Sequence, residues 1–63
     1  MNIAENIRRR MEATGMNRQQ LANAANMTWA NVARIVSDEA VPRIPTLERI
    51  AAALGCTVAE LVE

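Results

Sequence analysis

The sequence predicts an all-α fold of five short helices, and three observations carry that prediction. Apolar residues recur at spacings of three and four, no stretch alternates with period two, and capping residues, glycine, asparagine and proline separate the apolar runs. The 63 residues leave room for one compact domain spanning 1–63. Its core must be small, because a chain of this size buries only about 60% of the surface its unfolded state exposes.

Each element has its own local reason. In IAENIRRRMEATG, Ile3, Ile7 and Met11 form one helical stripe, and Gly15 is placed to end the helix in the left-handed conformation. Asn17 caps a second helix, RQQLANAA, in which Leu21, Ala22 and Ala25 share a side. Asn26 falls where the chain must turn, and asparagine follows glycine in tolerance of positive φ. Thr28 caps a third helix, WANVARIV, with Val32, Ile35 and Val36 on one face, Ala30, Ala33 and Arg34 on the other, and Trp29 at the border. SDEAVPRIP holds both prolines, has no period and reads as a loop. Pro45 or Thr46 opens a fourth helix, striped by Leu47, Ile50, Ala51 and Leu54 and ended by Gly55. Thr57 caps a last turn, VAELVE, in which Val58, Leu61 and Val62 are apolar.

Composition removes several classes of function. There is no histidine, and the lone cysteine, Cys56, has no partner for an internal disulfide. The usual zinc sites therefore lack ligands and no Ser-His or Cys-His nucleophile can be assembled, so the chain reads as a non-enzyme with no metal and no cofactor. The apolar runs are too short to cross a bilayer, and MNIAENIRRR lacks the order of a signal peptide, which points to the cytoplasm and away from membranes. Cys56 has no cationic neighbour in sequence and reads as a small core residue, Met16 and Met27 as gap-fillers, and Glu48 and Arg49 as solvated positions off the stripe of helix four.

Charge is the harder observation. The formal net charge is zero, whereas binding to phosphate needs an excess of cations. Yet all seven basic residues are arginines, whose planar fork suits phosphate and guanine, and Arg8, Arg9 and Arg10 are adjacent.

Two short helices joined by a tight turn, with Ala22 small enough for a steep crossing and Asn26 at the turn, form a helix-turn-helix over about 18–36. The pattern resembles the helix-turn-helix of the phage repressor and Cro group, the XRE family. GMNRQQLA looks like its entry into helix two, NMTWANVARIVSD like its turn and recognition helix, and PTLERIAAALGCTVAELV like its last two helices. The resemblance implies a lambda-repressor-like domain that binds a double-stranded DNA operator as a homodimer, with the helix of about 28–36 in the major groove. Carried over position by position, it implies base contacts from Thr28, Trp29, Ala30, Asn31 and Arg34, and phosphate contacts from Arg18 and Arg43, to which we add Arg10. Arg34 is suited to guanine O6 and N7, with a solvated role paired with Glu39 as the alternative, and the Trp29 ring to a thymine methyl or deoxyribose, with packing over the junction of helices two and three as the alternative. A dimer patch is expected near Val58, Ala59 and Val62.

The chain departs from the family pattern at several places. Arg18 stands where the family has glutamine, Asn26 where it has the turn glycine, and Met11 and Val36 where many members pair an arginine with a glutamate. Asp38 and Glu39 replace Gly and Lys in the loop, so two carboxylates lie near the expected phosphate contact; Asp38 as a left-handed terminator turns them away. Two rival readings follow: an antitoxin-type autorepressor with a toxin as protein partner, and an adaptor that reuses the fold without DNA.

Overall fold

A computed structural model describes residues 2–63. It contains α1 (Ile3–Thr14), α2 (Arg18–Ala25), α3 (Trp29–Val36), α4 (Ile44–Leu54) and α5 (Val58–Val62), and no strand among the described residues. The all-α expectation and the order of its elements hold.

The helix starts follow from local chemistry. Asn17 and Thr57 form reciprocal capping boxes with Gln20 and Glu60, and the Thr28 hydroxyl accepts from the Asn31 backbone N–H at 3.2 Å. Asn2, a cap the sequence reading did not name, accepts from the Glu5 N–H at 3.1 Å. One boundary differs from expectation: α4 begins at Ile44, with Arg43 as a cap residue that offers no side-chain hydrogen bond and Pro45 inside the first turn. The fixed φ of proline suits that turn, so the helix extends back past it.

The helix ends share one device. Gly15, Asn26, Asp38 and Gly55 all take left-handed φ values, of 72°, 56°, 64° and 72°. At each, the next residue donates back to the last turn: Met16 to Met11, Met27 to Ala22, Glu39 to Arg34 and Cys56 to Ala51, at 2.8–3.0 Å.

Ile7, Leu21, Val32, Ile50 and Leu61, one from each helix, are the largest fully buried side chains and make the centre of the core. Burying each contributes about 1.5–3 kcal/mol. Ala22 is also fully buried, on the helix that packs against α3 and α4. Met11 and Val36 are both buried in the same core, so the position of the family's ion pair is filled by apolar contact.

Short α5 is held by polar ties to α1 as well as by Leu61. The buried Asn6 amide donates to the Leu61 carbonyl at 2.8 Å, leaving its own Oδ1 without a protein partner, and Arg10 bonds the Glu60 carboxylate. Of the expected dimer patch, Val58 is half-buried against the core while Ala59 and Val62 are exposed.

Candidate nucleic-acid interface

The α2–α3 turn places the start of α3 opposite the mouth of α4, and an open groove of about 660 Å³ lies between them. Thr28, Asn31 and Arg34 line it from the α3 side, and Arg43, Thr46 and Arg49 from the α4 side. No carboxylate lines the groove. Three arginines thus face one concavity without a neutralising partner there, which makes it positive on a chain of zero net charge. The uncapped start of α4 adds to that sign, because its first N–H groups meet no side-chain oxygen of the cap.

Four of the expected site residues, Thr28, Asn31, Arg34 and Arg43, are therefore brought together. Trp29 and Ala30 are exposed beside the groove on the first turn of α3, and Trp29 is 49% exposed, so it is not sealed in the core. Arg18 opens onto a separate cleft of about 230 Å³ between α1, α2 and α3, shared with Arg8 and Glu12. Arg10 lies elsewhere, bonded at the surface to Glu60 of α5, so its guanidinium is engaged within the chain. Arg49 is exposed as expected and, with Thr46, also lines the groove, which the sequence reading did not anticipate. Arg49 lies off the apolar stripe of α4, and spacing alone does not separate a solvated arginine from one that lines a groove.

A family model described as the Cro/C1-type HTH DNA-binding domain matches residues 6–63. The chain belongs to this family. No curated protein and no solved structure matches it. As a Cro/C1-type domain it is a DNA-binding regulator whose partner is double-stranded DNA.

The Asp38 carboxylate and the pairing of Arg34 with Glu39, two features that counted against DNA in the sequence, have structural answers in this Cro/C1-type domain, while Glu39 itself stays exposed. Asp38 takes the left-handed position, and its carboxylate accepts from the Asn2 side-chain amide at 3.0 Å. Arg34 forms no ion pair with Glu39; the link between the two residues is the Glu39 N–H donating to the Arg34 carbonyl at 2.8 Å, which leaves the guanidinium exposed.

Cys56 corrects one expectation in detail. It packs against the core as anticipated, and burial pushes its thiol up from the ordinary value, but the fold does supply a cation: Arg10 opposes that rise and Glu60 reinforces it. The net direction keeps the sulfur protonated and poorly nucleophilic. Among the described residues, no helix is long and apolar enough to cross a membrane.

Proposed function

We propose that this chain is a single helix-turn-helix domain that binds duplex DNA sequence-specifically and represses by occluding its site. α3 enters the major groove, with Thr28, Trp29, Ala30, Asn31 and Arg34 toward base edges. Arg34 pairs with a guanine, and Arg18, Arg43 and Arg49 hold phosphates. The observation that carries this reading is the groove of Arg34, Arg43 and Arg49, free of carboxylates and set beside the exposed start of α3. Arg10 leaves the set of phosphate contacts because Glu60 occupies it. A two-fold dimer on half-sites about 34 Å apart accompanies the reading, with Ala59 and Val62 as the exposed part of its patch.

The test is a titration of the protein with a duplex selected from a random library, followed by Trp29 emission at several salt concentrations. Three phosphate contacts per subunit predict that log K falls with log salt at a slope near about −2.7 per subunit. A salt-independent affinity, or no binding to any duplex at low salt, overturns the proposal in favour of a protein-binding adaptor.

A further inference from the structure

α3 ends unlike its neighbours. At the ends of α1, α2 and α4, the residue after the left-handed one is Met16, Met27 or Cys56, each partly buried against the core. That apolar contact commonly accompanies this type of helix end and pins it. At α3 the corresponding residue is Glu39, which is exposed. The apolar anchor of this end comes one residue later, from Ala40, a smaller side chain partly buried against the core.

What it has in addition comes from α1 and its N-cap. The Ala33 carbonyl accepts from the Ser37 N–H, the Arg34 carbonyl from Glu39 and Ala40, and the Ile35 carbonyl from Asp38, all at 2.8–3.2 Å. Val36 is left without a backbone donor among the described residues, and the Arg8 guanidinium donates to its carbonyl. A cation there also suits the negative end of the helix. Two residues later, Asp38 takes the amide of Asn2, whose oxygen meanwhile caps α1. The middle of α1 and its N-cap thus grip the end of α3 at two points.

We infer that Arg8 and Asn2 are positioning residues that fix the rotation of α3 about its axis, and with it the direction of Arg34 and Trp29. The inference rests on the DNA-binding reading above. Apolar packing of Val32, Ile35 and Val36 holds α3 against the core but is weakly directional, whereas hydrogen bonds to a carbonyl and a carboxylate specify an angle. Met11 and Val36 supply apolar contact within the core, and Arg8, one turn earlier on α1, supplies direction.

The experiment uses four variants of the full chain. Asn2→Asp keeps a good α1 cap but sets a carboxylate against Asp38. Combining it with Asp38→Asn exchanges donor and acceptor and restores the contact. Arg8→Met removes the donor and keeps the aliphatic stem, and Arg8→Lys restores a charged donor. The readouts are amide hydrogen exchange at residues 37–40 in the free protein, and the ratio of affinity for the selected duplex to that for an unrelated one. Asn2→Asp and Arg8→Met are expected to speed exchange and to lower the ratio about threefold to tenfold. The salt slope stays unchanged, and the double substitution and Arg8→Lys recover most of the loss. An unchanged ratio overturns the inference, as does failure of both rescues. So does a loss equal on all sequences with the slope reduced by about 0.9, which marks Arg8 as a phosphate contact instead. If the unmodified protein selects no duplex, the DNA-binding reading fails by itself, and exchange at 37–40 with its two rescues still decides whether α1 holds α3.

Discussion

The arginines of α1 and those of the groove form two contrasting sets. Arg8, Arg9 and Arg10 are adjacent in sequence and look like a phosphate-binding run, yet each has an internal partner: the Val36 carbonyl, Glu5 and Glu60. Arg34, Arg43 and Arg49 are scattered over sixteen positions of sequence or so, with nothing local to unite them, yet they line one groove without a carboxylate. The contrast shows why a net charge of zero misleads here. Glu5 and Glu60 pair with Arg9 and Arg10, the Val36 carbonyl engages Arg8, and of the four remaining arginines three line one groove while Arg18 opens onto a separate cleft.

The comparison can be broken most sharply at Arg34. Arg34→Ala is expected to cost about 1–3 kcal/mol of discrimination at one base pair, read as relaxed specificity in binding to single-substituted duplexes. Its urea midpoint should not move, because the side chain is exposed. A uniform loss on every duplex would place Arg34 on phosphate and dissolve its distinction from Arg43.

Next in size are Arg43→Ala and Arg49→Ala. Each should weaken all duplexes alike and reduce the salt slope by about 0.9. An unaltered slope for Arg49→Ala returns that residue to the solvated role its spacing suggests.

Arg10→Met should behave in the opposite way, lowering the urea midpoint by loosening α5 while leaving the salt slope intact. The same tie gives a pH dependence. The Thr57 backbone N–H, then the Thr57 hydroxyl, then Arg10, hold the Glu60 carboxyl below its ordinary value of 4.5. A carboxyl depressed in the folded state contributes stability that is present above that ordinary value and disappears as pH falls through the lower folded one. Titration of the Glu60 side-chain carbons by NMR should give a midpoint below 4.5, and Thr57→Val should raise it. The smallest effect belongs to Arg9→Ala. Its pair with Glu5 spans one turn of α1 at 3.2 Å with both side chains more than half exposed, so chemical denaturation should register a change within about 0.5 kcal/mol and DNA binding none.

Much of the fold was legible because its determinants are local. The helices at Ile3, Arg18 and Trp29, the caps Asn17, Thr28 and Thr57, and the left-handed residues Gly15, Asn26 and Gly55 each depend on side chains within four positions. The start of α4 was misjudged by a residue or two, since Pro45 fits either of the first helical positions. The candidate site was half legible. Thr28, Asn31, Arg34 and Arg43 were read from helical phase and resemblance, whereas the roles of Arg49 and Arg10 depend on which distant helix lies opposite.

By itself, then, the sequence determined where helices begin and end and which faces are apolar, because those properties are set by neighbours along the chain, and its composition supplied no histidine for a zinc site or a Ser-His or Cys-His nucleophile. Tertiary structure alone decided which arginines are engaged, which converge on the groove, that Arg10 and Glu60 flank Cys56, and that α1 reaches the end of α3. The reason is physical. A guanidinium on a long flexible stem bonds whatever carboxylate or carbonyl packing brings within about 3 Å, and residues 28 and 50 positions apart, as for Arg8 with Val36 and Arg10 with Glu60, meet only once the core has formed.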